Sequence, residues 1–328
     1  MPVRIEKIPG TVFLPFPDMS GMLESELAER FSCSMSDDAG AKQYGDLLYL
    51  PGFKPEQKDS LHVPYWCRTA MLEPFILHFD SIGEAAAALR EKQRSWAPYQ
   101  YQLFRRAGFI QEKLPYVNLK TRTFPVKIPQ SPIGLYTLLD ADTIIASALT
   151  TSFIPAGLIQ FEENHEEPPS RAYLKIQESL TMAQLLFGAE LPHAGQMCFE
   201  AGACPGGWTW VLVKLGCRVY AVDRAELVPE LMHNPLVKFQ AHDAFTLKPD
   251  DIGPCDWVFS DVICYPERLF EWVQEWLSSG LVKNMICTIK MQGDVNWKLA
   301  AEFAAIPGSR VVHLNYNKHE LTWIHCGK

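Results

Sequence analysis

The chain has 328 residues, 48% of them hydrophobic and 21% charged, which excludes wholesale disorder and favours two domains over one. Its formal net charge is −8. As a whole-chain average, that charge argues against a nucleic-acid partner, but it says nothing of where the charges sit.

Residues 1–10 are charged and poor in apolar side chains, so no secretory leader is expected there. No apolar run reaches the roughly 18 residues of a membrane span, so no membrane partner is expected. Residues 23–31 (LESELAERF) and 82–94 (IGEAAAALREKQR) carry helical patterns. Residues 48–50, 76–79 and 133–136 read as short strands, which makes 1–161 an α+β domain.

Within that domain, residues 86–128 hold nine Lys/Arg against Glu91 and Glu112, a local +7 that leaves −15 for the remainder. Trp96, Tyr99, Tyr101, Phe104, Tyr116 and Phe124 are interleaved with the cations. Cations hold phosphates and rings stack on bases, so the segment suits RNA docking, with Arg105, Arg106, Lys120 and Arg122 as candidate contacts. The other open reading is a solvated helix face above core aromatics.

Glu162-Glu163-Asn164-His165-Glu166-Glu167-Pro168-Pro169 is acidic and ends in two prolines, so residues 162–169 are expected to be an extended, solvated linker. Beyond it, residues 170–328 alternate regularly. Strand-length apolar runs recur at 197–199, 219–222, 257–259, 285–289, 311–314 and 321–324, with helical stretches such as 208–215 and 266–277 between them. That alternation predicts an α/β domain with a doubly wound, mostly parallel sheet. Nine cysteines, with no CxxC and no His/Cys cluster at zinc spacing, imply reduced thiols, a cytoplasmic location and no metal.

Ligands of such sheets bind at the carboxyl ends of the strands. The first strand there runs into Glu200-Ala201-Gly202-Ala203-Cys204-Pro205-Gly206-Gly207-Trp208, and the second ends in Asp223, an acceptor for ribose hydroxyls. The glycines read GxxxGG rather than GxGxxG, and Pro205 removes a donor that would face a pyrophosphate. A nucleoside without a pyrophosphate fits better, and S-adenosylmethionine is the common one. Asp243 follows the third strand, where it could meet an adenine amino group. Asp261 follows the fourth, Lys290 caps the fifth and Glu320 opens the last. Four ionisable groups at strand ends suggest one converging site.

These residues resemble the FtsJ-like ribose 2′-O-methyltransferases over about 168–325. Ser170-Arg171-Ala172-Tyr173-Leu174-Lys175 is similar to the family's Ser-Arg-x-x-x-Lys opening, and residues 202–208 to its glycine motif. Lys175, Asp261, Lys290 and Glu320 fall in order on its Lys–Asp–Lys–Glu tetrad. The Cys-Pro-Gly-Gly-Trp-Thr wording looks most like the bacterial branch that methylates cytidine in large-subunit rRNA and carries an amino-terminal THUMP module. No THUMP wording is evident in the first 161 residues, and Glu200 stands where the family usually has Asp.

The resemblance implies a Rossmann-like, seven-stranded methyltransferase domain using S-adenosylmethionine and releasing S-adenosylhomocysteine. It implies cofactor contacts at Ser170, Gly202, Cys204, Pro205, Gly206, Gly207, Trp208, Asp223, Asp243 and Asp261, and RNA, chiefly rRNA, as partner. No obligate protein partner is evident. Lys290 is the candidate base if desolvation and the second ammonium at Lys175 lower its pKa. If Asp261 and Glu320 win, it is an electrostatic stabiliser of a developing alkoxide. The same chemistry on tRNA or an mRNA cap, and a non-catalytic RNA-binding or ribosome-assembly role, are the alternatives.

Overall fold

A computed structural model of the chain describes residues 3–36, 39–53, 63–291 and 293–327. Two compact units emerge, Met1–Arg122 with Ile128–Gln160, and Thr123–Lys127 with Phe161–Lys328.

The first unit contains β1 (Arg4–Lys7), β2 (Thr11–Pro15), α1 (Ser20–Phe31), β3 (Lys42–Tyr44), β4 (Leu47–Leu50), β5 (Cys67–Met71) and β6 (Phe75–His78). It continues with α2 (Ile82–Lys92), β7 (Trp96–Pro98), α3 (Phe104–Glu112), β8 (Gly134–Leu138) and β9 (Thr143–Ser147). Its strands form two sheets, β3-β4-β2-β5 and β1-β6-β9-β8-β7. Only β7 and β8 run parallel within them.

Helix α2 starts on a reciprocal cap, in which Ser81 Oγ accepts from Glu84 N–H and the Glu84 carboxylate accepts from Ser81 N–H. It stops at Lys92, short of the expected 94, because Gln93 turns extended. Its apolar face, Ala85, Ala86, Ala88 and Leu89, packs into one cluster with Trp96 and Tyr136. The basic, aromatic stretch is therefore not one surface. Trp96 is fully buried, Phe104 and Tyr116 are exposed, and Phe124 packs edge-on against Phe161 in the second unit.

The second unit contains α4 (Ala172–Phe187), β10 (Met197–Ala201), α5 (Gly207–Lys214), β11 (Arg218–Asp223), α6 (Pro229–Met232), β12 (Val237–Ala241), α7 (Pro249–Ile252) and β13 (Cys255–Ser260). It is completed by α8 (Pro266–Ser279), β14 (Val282–Lys290), α9 (Trp297–Ala305), β15 (Ser309–Val312) and β16 (Glu320–Cys326). The seven strands lie in the order β12-β11-β10-β13-β14-β16-β15. β16 is antiparallel to both neighbours and the other pairs are parallel. The expected doubly wound, mostly parallel sheet is thus present. Its order reverses between β10 and β13, which opens a crevice at their carboxyl ends.

Near-continuous apolar strands let this sheet be covered on both faces. Trp257, Phe259 and Phe199 are fully buried, and Phe199 is met by Trp272 and Trp276 of α8. Residues 162–169 are not a free linker. Asn164 N–H donates to Tyr173 Oη at 2.7 Å, and Asn164 Oδ1 accepts from the N–H groups of Glu166 and Glu167. Glu163 pairs with Arg171 and Glu167 with Lys214. An Asx-type turn fastens the acidic run to the start of α4, an outcome that acid and proline content does not predict. Among the described residues, no helix is long and apolar enough to cross a membrane.

A Cβ added at Gly134 would lie 2.5 Å from the buried Trp96 ring. Gly134→Ala is therefore expected to destabilise the chain by about 1–3 kcal/mol through overpacking, measured by denaturant unfolding. An unchanged midpoint would mean that the Trp96 pocket has slack.

Candidate active site

Lys175 lies in the first turn of α4, Asp261 directly follows β13, Lys290 ends β14 and Glu320 begins β16. The antiparallel register of β14 and β16 sets Lys290 opposite Glu320. The four side chains close a ring of alternating sign. Lys175 Nζ is 3.1 Å from Asp261 Oδ1 and 2.5 Å from Glu320 Oε1. Lys290 Nζ is 2.5 Å from Asp261 Oδ1 and 2.7 Å from Glu320 Oε2.

The side chains are 10–20% exposed, which removes most of the water that would otherwise screen them. Burial of Asp261 favours its neutral form, but the ammoniums of Lys175 and Lys290 outweigh it and hold the carboxyl below its ordinary value. Burial likewise opposes charge on Lys290, and Asp261 and Glu320 outweigh it, so its pKa is raised. Asp261 stays ionised and Lys290 stays an ammonium.

Two cavities adjoin this ring. One of about 680 Å³ is lined by Lys175, Lys290 and Glu320, with Asn315, Tyr316 and His319 among its other walls. The other, about 400 Å³, is lined by Gly202, Cys204, Asp223, Asp243 and Asp261. Ile263, which is 82% exposed, lines both.

The glycine turn below the second cavity is built by close approach. Gly202 has φ +78, and a Cβ there would sit 2.8 Å from Val262 Cγ2. A Cβ on Gly207 would sit 2.5 Å from Ser170 Oγ. Ser170 Oγ is itself buried and without a hydrogen-bond partner. Asp223 Oδ2 accepts from Cys204 N–H at 2.9 Å and Oδ1 from Ala225 N–H at 3.1 Å, which leaves each oxygen a further acceptor position.

Asp243 Oδ1 accepts from Phe245 N–H, and Oδ2 meets Arg224 at 2.8 Å and Arg268 at 3.3 Å. Burial alone would raise its pKa, but these partners hold the carboxyl below its ordinary value. Most of its acceptor capacity is therefore already used.

Of the residues expected to touch a cofactor, Gly202, Cys204, Asp223, Asp243 and Asp261 line the cavity together. Ser170, Pro205, Gly206 and Gly207 are absent from its lining and belong to the turn and its surroundings. The Trp208 ring is 3% exposed and packs edge-on against Phe259, so it is a core side chain. Arg224, His242, Val262, Ile263 and Arg268 also line the cavity, and sequence reasoning missed them. Adjacency to Asp223 and Asp243 could have flagged Arg224 and His242. Nothing in the sequence marks Arg268. The four cations proposed for RNA are not drawn together either. Arg105 lies over Phe109 and Arg106 over Phe79, whereas Lys120 and Arg122 line a different cavity of the first unit. No cluster of three or more His, Cys, Asp or Glu suited to a metal occurs among the described residues.

Two buried carboxyls support the site without joining the ring. Glu178, one helical turn after Lys175, accepts from Asn315 N–H at 2.9 Å and Tyr316 N–H at 3.1 Å, fixing the loop that leads into Glu320. Glu200 accepts from Thr209 Oγ1 at 2.6 Å. Burial pushes each carboxyl from an ordinary 4.5 up to about 8.

Raised acids contribute their full share of stability below the unfolded pKa and lose it as pH climbs through the folded one. Stability should therefore fall between pH 4.5 and about 8 through these groups, then level off. Glu200→Gln should shrink that fall, as read by thermal melts across the range. An unaltered pH profile in the variant would contradict the assignment.

Residues 168–298 match the FtsJ-like methyltransferase family. Among curated relatives, Ribosomal RNA large subunit methyltransferase M of Xylella fastidiosa (strain M12) is 34% identical over 165 residues, 48% of this chain and 46% of that protein. The protein of the same name from Aggregatibacter aphrophilus (strain NJ8700) is 35% identical over 126 residues, 38% of this chain and 35% of that protein. The chain thus spans less than half the length of these curated relatives. Among solved structures, a Methanococcus jannaschii fibrillarin pre-rRNA processing protein aligns at TM-score 0.32 and 16% identity, covering 43% of this chain and 71% of that one.

Proposed function

With residues 168–298 belonging to the FtsJ-like methyltransferase family, we propose that this chain methylates ribose 2′-hydroxyls of large-subunit ribosomal RNA, using S-adenosylmethionine. The observation that carries the reading is the closed ring of Lys175, Asp261, Lys290 and Glu320 between two cavities. The names of the relatives support rRNA over tRNA or a cap as substrate.

The residues of the smaller cavity fit a nucleoside cofactor. Asp223 has acceptor capacity for a ribose diol, and Gly202 keeps the strand end bare of side chain. Asp243 pairs with both Arg224 and Arg268, which positions the two cations at the cavity wall. Ser170, with its unpartnered buried hydroxyl, is a further candidate contact. When bound, S-adenosylmethionine supplies an electrophilic methyl and leaves as S-adenosylhomocysteine.

The larger cavity would take the acceptor ribose. Holding the hydroxyl in line beside the ring could supply roughly 7–11 kcal/mol of the rate enhancement. Because the carboxylates keep Lys290 charged, its role in this reading is to stabilise negative charge on the 2′-oxygen, with Lys175 beside it. The hydroxyl proton leaves to water through the open acceptor cavity. Asp261 and Glu320 hold the two ammoniums in place. The first unit serves as the RNA-docking part, and the free thiols suit a reducing cytoplasm.

Lys290→Ala should lower kcat for ribose methylation by about 10²–10³-fold while leaving S-adenosylhomocysteine affinity nearly unchanged. Methylation mapping and calorimetry test the pair of effects, and full turnover in the variant would remove the ring from the mechanism. Asp223→Ala should instead weaken S-adenosylhomocysteine binding by about tenfold, the value of a charge-assisted hydrogen bond. Unchanged affinity by calorimetry would mean that the cofactor lies elsewhere.

A further inference from the structure

The first unit holds a cavity of about 350 Å³ that the proposed reaction does not use. Among the described residues, three cations line it, Arg68, Lys120 and Arg122, and no carboxylate does. Arg68 Nε and Arg122 Nη1 are both buried and have no hydrogen-bond partner. Buried guanidinium groups are ordinarily paired, because an unmatched cation loses its hydration and gains nothing in return. Both belong to residues of the cavity wall, where three cations gather with no carboxylate among the described lining residues, a charge excess that an anion would balance.

The wall itself is firmly built. A Cβ on Gly157, at φ +69, would lie 2.2 Å from the Arg68 carbonyl oxygen, so the turn at 155–157 presses directly on β5. Its neighbour Ala156 is held at φ 50, a conformation that costs a non-glycine residue free energy. Arg122 is held from two sides. Its N–H donates to Gln160 O at 2.7 Å and its Nη2 to Asn118 O at 2.6 Å, while Nη1 is left without a partner. The Arg68 guanidinium lies 5.9 Å from the Tyr99 ring centroid. Asp46, the carboxylate bonded to the Tyr99 hydroxyl, is not among the cavity's lining residues.

We infer that this cavity is a phosphate-binding site formed by Arg68, Lys120 and Arg122. Tetrahedral phosphate offers several acceptor oxygens to two guanidinium forks and one ammonium, as a single carboxylate would not. The Tyr99 ring and the apolar walls at Ile154 and Pro155 suit a sugar or base attached to that phosphate, so the phosphodiester of an RNA strand is the expected source. The choice of RNA as ligand rests on the RNA-docking role proposed for the first unit, whereas the site itself does not depend on the methyl-transfer chemistry.

The test uses the full chain and Arg122→Gln, with Lys113→Gln as a control that removes the same charge from outside the cavity. Binding of a labelled single-stranded RNA is followed by anisotropy across a salt series, inorganic phosphate binding by calorimetry, and S-adenosylhomocysteine binding in parallel. Arg122→Gln should weaken RNA binding about tenfold and reduce the slope of log K against log salt by about one, with Lys113→Gln affecting both less. An unchanged circular-dichroism spectrum and thermal melt show that the variant is folded, and S-adenosylhomocysteine affinity reports separately on the methyltransferase reading.

Loss of inorganic phosphate binding in Arg122→Gln with RNA binding intact would keep the site and assign it a free phosphate ligand. Equal RNA losses from Lys113→Gln and Arg122→Gln, or no loss of either ligand in a folded Arg122→Gln protein, would overturn it. Where Arg122→Gln does not fold, Lys120→Gln on the exposed side of the cavity takes its place with the same expected and overturning results.

Discussion

The carboxyl-terminal unit is organised around the cost of removing four charges from water at one place. An isolated buried ion costs several kcal/mol even after relaxation. Here each ammonium touches both carboxylates and each carboxylate touches both ammoniums. The arrangement requires the last residue of β14 to face the first residue of β16, a match of register as well as of sequence. It also requires α4 to bring Lys175 within reach of both carboxylates. Glu178 contributes by holding the residue 315–316 backbone to α4.

Two kinds of buried carboxyl follow from this, and they behave oppositely. Asp261 sits between ammoniums and is held ionised, whereas Glu178 and Glu200 meet only neutral donors and are pushed toward the protonated form. Burial acts in the same direction on all three, and the partner decides the outcome. The same comparison bears on Lys290. Desolvation lowers its pKa, but two carboxylates at 2.5 and 2.7 Å outweigh that. Electrostatic stabilisation is then the role consistent with its charge.

Much of the carboxyl-terminal fold was legible along the chain. Runs such as 285–289 are too apolar and too short to be anything but covered strands, and alternation with helices implies parallel neighbours. Asp261, Lys290 and Glu320 were legible for a related reason, because each stands next to the end of such a run, whereas Lys175 was marked by the Ser-Arg-x-x-x-Lys motif at the start of α4. The amino-terminal stretch was less legible. Cations and rings at 86–128 have no period that distinguishes an exposed face from a core. The structure divides them among a buried Trp96, exposed Phe104 and Tyr116, and a Phe124 belonging to the other unit.

By itself, the sequence determined the strand and helix alternation, the strand-end positions of Asp261, Lys290 and Glu320, and the bare glycine turn. These are local properties, set by side-chain chemistry within a few residues. Only the tertiary structure decided that Lys175 meets Glu320, that Asp243 is already held by Arg224 and Arg268, and that Trp208 faces the core. It also decided that Arg68 shares a cavity with Lys120 and Arg122. Each of these depends on strand order, register or side-chain direction between residues far apart in the chain, which no local pattern encodes.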